Sequence, residues 1–293
     1  MLNEKLICDS MHNSEKFKVC SPEEQLMALV YGIVNNGQIK QSNLDIWNER
    51  KPLYNQSIDA AIKINSLKHI VCSSHASRDL KALIDHGIFE FCMKEYFPLS
   101  RISKRDLADI SKNISISSNN PNIRIAIILF PFGYAKAEAI FNKCTLKGVD
   151  KDKILFAIKH FDEYLMIKQP HLLKNFIYAF GWDNFTFVDL FSSEIIKVID
   201  IPEYKHKTKT FLLEEIERRG EPIFVEDMEI NRADLIELGV GSDDVEEILA
   251  DILHHLHKYP KDNKKEILKS MANKMNKSIL YRFCIKKGIL KMK

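Results

Sequence analysis

Apolar positions along this 293-residue chain recur mostly at three- and four-residue intervals, the spacing that lines one face of an α-helix. Residues 22–34, PEEQLMALVYGIV, follow Ser21 as an N-cap and place Pro22 in the first turn, so a helix is predicted there. Helical patterns follow over 58–70 and 77–86, the second closed by Gly87. Others run over 103–113, 134–144, 150–165 (capped by Asp150), 168–181 (starting after Pro170, ending at Gly181), 183–199 and 208–219. Residues 35–57 and 115–122 read as polar, turn-rich connections. The run IRIAIILFPF, 123–132, has no clear period: its isoleucines favour a strand, and the lack of a partner strand nearby favours a helix, which is the reading taken. The pattern predicts an all-α protein, an elongated array of short helices without fixed-period repeats or low-complexity segments.

The most punctuated stretch is INRADLIELGVGSDDVEEILADILHHLHKYPKDNKKEI, 230–267. Asn231 is placed to cap a short helix, with Asp234 answering it as in a capping box. Gly239 ends that helix, Gly241 is expected to permit a tight reversal, and Ser242 to cap the next. Asp243 and Asp244 then sit where negative charge suits a helix N-terminus. Val245, Ile248, Leu249, Ile252, Leu253 and Leu256 follow the spacing of one buried face. Pro260 stops the pattern, and Asn263 with Glu266 is read as the start of another helix.

Composition narrows the class. With 45% hydrophobic residues the chain is not intrinsically disordered. No apolar run approaches the ~20 residues of a membrane span, and the polar N-terminus does not read as a signal peptide, so a cytoplasmic location is expected. The six cysteines are dispersed, which argues against a disulfide framework or structural zinc site. Net charge is only +3, but it is unevenly distributed. KHKTK at 205–209 precedes Arg218 and Arg219, and from Lys264 onward ten cations face one acid, Glu266. Such clusters are either solvated faces or a surface for phosphates.

Chemistry-bearing candidates are few. Asp150-Lys151-Asp152 is a literal D-x-D, but Asp150 reads as a helix cap. His160 and Asp162 do not by themselves make a metal site. His254 and His257 lie at metal-ligand spacing, but the trio with His255 reads as a surface cluster near a helix C-terminus. No catalytic residue, metal site or cofactor is expected. LIELGVGSDDVEEIL also resembles a helix-hairpin-helix, whose glycine turn offers N–H groups to a phosphate. Asp243 and Asp244 would repel a phosphate at that mouth, so the corner is read as structural.

The pattern N-R-A-D-L-I-E-L-G-V-G-S…V-E-E-I-L-A-D-I-L…N-K-K-E-I-L resembles the tail of bacterial CCA-adding tRNA nucleotidyltransferases, relatives of the poly(A) polymerases. Residues 124–165, 174–191 and 77–91 are similar to the family's body segments, so the resemblance spans roughly 60–293. It implies an N-terminal segment at 1–60, readable as a degenerate neck, a helical body at 61–200 and a helical tail at 201–293. The family's catalytic head is missing: the chain has no glycine pair and no room for a head before residue 60. Nor does it carry the neck's E-D-x-x-R, and Pro131-Phe132 stand where some members have His-Asp.

The resemblance therefore implies a head-less, non-catalytic relative, a pseudoenzyme, that binds tRNA or other structured RNA. The expected contacts are Lys205, Lys207, Lys209, Arg218, Arg219, Lys264, Lys265 and Lys269; an extended 205–209 would set three lysines on one side. Two other readings stay open. One is a protein-interaction scaffold. The other is the RNA-holding half of a split enzyme, with its nucleotidyltransferase head on a separate chain.

Overall fold

The computed structural model describes residues 3–54, 57–93, 114, 119–143, 148–197, 201–278, 281 and 284. Among them are sixteen α-helices and no strand, the all-α class the periodicity predicts. No helix among the described residues is long and apolar enough to cross a membrane. The helix expected over 103–113 lies outside the described residues. The chain clusters into two compact units, one of residues 1–161 with 187–201, the other of 162–186 with 202–293.

In the first unit the helices are α1 (Glu4–Ser10), α2 (Ser14–Val19), α3 (Pro22–Asn36), α4 (Gln41–Tyr54), α5 (Ala60–Val71), α6 (Ala76–Asp85), α7 (Ile88–Met93), α8 (Pro121–Leu129) and α9 (Tyr134–Lys143). The first part of α10 (Lys151–Met166) and the end of α12 (Trp182–Ile195) also belong to it. Helix α3 starts as predicted. Ser21 accepts from the Glu24 N–H at 3.3 Å and Glu24 accepts from the Ser21 N–H at 3.0 Å, which satisfies two of the donors that every helix start leaves open.

Helix α4 replaces the predicted connection over 35–57. Its sequence, QSNLDIWNERKPLY, is mostly polar, and its buried apolar side chains are Leu44, Trp47 and Tyr54. The Trp47 ring lies edge-on to Phe91 at 5.1 Å. A helix this polar draws its stability from docking, which a local pattern does not register. The run 123–132 is a helix followed by a 3₁₀ turn, as read. Residues 123–129 are all buried, which is why they show no amphipathic period. Their one cation, Arg124, donates to the carbonyls of Val71 (2.9 Å) and Ser73 (3.0 Å) at the end of α5. Asp150 caps α10, accepting from the Lys153 N–H at 3.1 Å.

The second unit contains the end of α10, α11 (Pro170–Phe180), the start of α12, α13 (Tyr204–Arg219), α14 (Arg232–Glu237), α15 (Val245–Lys258) and α16 (Lys265–Lys277). Its main cluster gathers Leu235, Val240, Val245, Ile248, Leu249, Ile252, Leu253 and Leu256 with Leu268, Met271 and Met275 of α16. The face predicted for α15 is thus the buried one.

The corner between α14 and α15 keeps the predicted entry and changes the exit. Asn231 accepts from the N–H groups of Ala233 (2.9 Å) and Asp234 (3.2 Å), and Asp234 accepts from the Asn231 N–H at 3.1 Å. The left-handed residue is Gly239, at φ 75°, while Gly241 has no positive φ. The N–H of Val240 reaches the Leu235 carbonyl (3.1 Å) and that of Gly239 reaches Ile236 (2.9 Å), the paired bonds of a Schellman motif. Val240 and Leu235 are both buried, which completes it. Ser242 does not cap α15; its hydroxyl donates to Asp243 at 3.3 Å. Asn263 does not start α16 either. It accepts from the Glu229 N–H and donates to the Asp227 carbonyl, both at 3.0 Å, so it ties two loops together.

Candidate nucleic-acid interface

Residues 205–209 lie in α13 and are not extended, so alternate spacing spreads their lysines around the helix. Lys209 turns inward and is buried. Its ammonium donates to the carbonyls of Leu165 (2.8 Å), in the last turn of α10, and Lys205 (2.6 Å), and lies 5.3 Å from the Tyr164 ring centroid. A cation there serves the negative end of a helix and reaches no ligand. Lys205 is half-buried, whereas Lys207 is exposed and pairs with Glu203 at 3.1 Å. Arg218 is exposed.

On α16, Lys265 and Lys269 both bind Asp234, at 2.9 and 3.1 Å. Hydrogen bonds from Lys265 and then Lys269 hold the Asp234 carboxyl down to about 2. These two lysines fasten α16 to α14, and their charge is largely spent there. Lys264 is exposed at the start of α16.

Arg219 is drawn into a different arrangement. It ends α13 beside an open cleft of about 790 Å³, lined by Arg219, Gly220, Glu221, Lys258, Tyr259, Pro260, Lys261 and Asp262. Two helix ends form its walls, α13 closed by Gly220 in the left-handed region and α15 stopped before Pro260. Arg219, Lys258 and Lys261 are exposed cations. Arg219 pairs with Glu215 and lies 3.6 Å from Glu221.

The two carboxylates of the cleft are held from within. Glu221 binds the ammonium of Lys174 at 2.7 Å, and both side chains are buried. Burial lowers the Lys174 pKa, and Glu221 opposes that shift. Asp262 lies 2.9 Å from Nε2 of His255, a buried ring. Burial, and then the charges of Lys258, Lys174 and His254, lower the His171 pKa.

The three histidines of α15 do not form a surface cluster. His254 is exposed, but His255 and His257 are buried. Nε2 of His257 lies 3.0 Å from the Ile223 carbonyl and Nδ1 lies 2.6 Å from Oδ1 of Asn175. Burial pushes this ring down to about 4. The neutral ring that donates to Ile223 through Nε2 accepts at Nδ1, which calls for the Asn175 amide with its O and NH₂ positions exchanged. Both nitrogens are committed to the fold. No group of three or more metal-binding side chains occurs among the described residues.

A second cleft, of about 610 Å³, lies in the first unit, lined among others by His12, Lys40 and Asn43. Its one lysine donates to the His12 carbonyl at 3.1 Å, so positive charge is not concentrated there.

Of the eight cations expected to hold RNA, Arg219 lines the 790 Å³ cleft together with two other exposed cations, Lys258 and Lys261. The sequence around Lys258 and Lys261, KYPK at 258–261, carries only the signal of a helix stop at Pro260. No protein-family model, curated protein or solved structure matches this chain.

Proposed function

We propose that the second unit binds structured RNA, with a folded tRNA as the expected class, through the cleft of Arg219, Lys258 and Lys261, and that the chain itself catalyses no reaction. One observation carries this reading: three exposed cations share a concavity whose two carboxylates are engaged, Asp262 by His255, and Glu221 by Lys174 at 2.7 Å and by Arg219 at 3.6 Å. Tyr259 adds a ring against which a base can stack, worth about 1–3 kcal/mol. The same cations also serve two helix C-termini, each worth about 0.3–1 kcal/mol, which draws on part of their field. Binding should therefore be modest and governed by phosphate contacts.

The test is fluorescence anisotropy with a folded tRNA and an unstructured RNA of equal length. Affinity should fall by about 0.7–0.9 log unit per log unit of salt for each phosphate neutralised. Reversing the cleft cations (Arg219→Glu, Lys258→Glu, Lys261→Glu) should remove binding and flatten the slope. Lys265→Gln with Lys269→Gln should leave affinity in place and lower stability. Absence of tRNA binding by the wild-type chain at low salt, or full binding by the triple variant, overturns the proposal.

A further inference from the structure

Helix α13 carries a second feature, on a face separate from the cleft. Its inward side is formed by Lys209, Leu212 and Ile216. Opposite lie Tyr204, Lys207, Phe211, Glu214 and Arg218, all exposed, at the spacing of one helical stripe. Tyr204 is 65% and Phe211 64% exposed, large apolar surfaces with no cover among the described residues. Glu203 stands at the head of the stripe and pairs with Lys207. Among the described residues, neither Glu214 nor Arg218 has an ion-pair partner.

We propose that this stripe pairs with the same stripe of a second copy of the chain, the two α13 helices lying antiparallel about a twofold axis. The charge order selects that occupant. Along the stripe the signs run Glu203 negative, Lys207 positive, Glu214 negative, Arg218 positive. An antiparallel pairing centred between Thr210 and Phe211 sets Lys207 opposite the partner's Glu214 and Glu203 opposite the partner's Arg218. By symmetry each contact occurs twice. The two Phe211 rings meet near the axis, and Tyr204 falls beside the partner's Arg218, where a ring and a guanidinium attract. A parallel pairing in register would bring every charge against its like.

The stripe from residue 203 to 218 is about 22 Å long. One helix pair of that length buries less than the about 1,000 Å² expected of a stable interface, so the dimer is a weak one. Helical pairs of this kind approach to about 8–10 Å between axes.

Sedimentation equilibrium of the full chain without RNA, from about 10 μM to about 1 mM, tests this. The wild-type chain should shift from monomer toward dimer across that range. Phe211→Glu should stay monomeric. Lys207→Glu alone should weaken pairing at least tenfold by facing the partner's Glu214, and Lys207→Glu combined with Glu214→Lys should restore it. All three sites are exposed, and circular dichroism checks that each variant folds; if Phe211→Glu fails to fold, the charge-exchange pair decides by itself. A wild-type chain that is monomeric at every concentration overturns the inference, as does a dimer indifferent to these changes. Because RNA is absent, either result leaves the cleft reading to its own test.

Discussion

Two lysines that sequence alone would place on the surface are buried in the second unit, and each is held differently. Lys174 is bound to a carboxylate, whereas Lys209 is bound to two carbonyls. Lys174→Met leaves the buried Glu221 with only Arg219, at 3.6 Å, and the expected loss is up to about 3–5 kcal/mol. Adding Glu221→Gln should recover part of it, as measured by urea unfolding. Lys209→Met leaves the Leu165 carbonyl without that donor and should cost about 1–3 kcal/mol, with RNA affinity unchanged. His257 gives a sign that can be worked out. Its folded pKa of about 4 lies below the unfolded 6.5, so the unfolded chain binds the proton first. Stability should be fully present above about pH 6.5 and fall, by about 3 kcal/mol in all, as pH drops toward 4. His257→Gln should flatten that region of the stability–pH curve.

At the scale of elements, the corner of α14 and α15 separates two glycines that look alike in sequence. Gly239→Ala forces a left-handed alanine and should cost about 1 kcal/mol; no neighbouring atom lies within 4 Å of the added methyl, so the cost is conformational. Gly241→Ala meets only Asp244 Oδ2 at an ordinary 3.7 Å and should be near neutral. Thermal unfolding of the two variants decides which glycine makes the corner. The clasp of Asp234 on Lys265 and Lys269 has its own pH window. The depressed carboxyl contributes stability above its unfolded value of 3.8, and loses it as pH falls through about 2. Asp234→Asn should remove that acid-sensitive part of the unfolding curve.

At the scale of the whole molecule, the chain offers no glycine pair and no neck arginine, and its D-x-D is a helix cap. Incubated with labelled CTP or ATP, Mg²⁺ and tRNA lacking its 3′ end, it should incorporate no label above a control without protein. Incorporation by the isolated chain would sink the non-catalytic reading. The two surfaces of α13, the cleft at its C-terminal end and the stripe along its outer side, predict separable behaviour. Salt should govern RNA binding, and concentration should govern self-association.

The sequence by itself determined the helical class, the capped starts at Ser21, Asp150 and Asn231, and the buried face of α15, because each depends on residues within a turn or two of one another. It also marked Arg219 as a candidate contact, although not the cleft that surrounds it. Tertiary structure alone decided that the polar segment 41–54 is a helix, since its stability comes from where Trp47 docks. It likewise decided the fate of each cation. A lysine in a basic run is available to phosphate or consumed by the fold according to which carbonyls and carboxylates other elements bring to it. Leu165 lies 44 residues from Lys209, and Asp234 lies on a different helix from Lys265 and Lys269. Those distances lie beyond any local pattern, so a cluster of positive charge can be read in the sequence, and which of its members the fold consumes cannot.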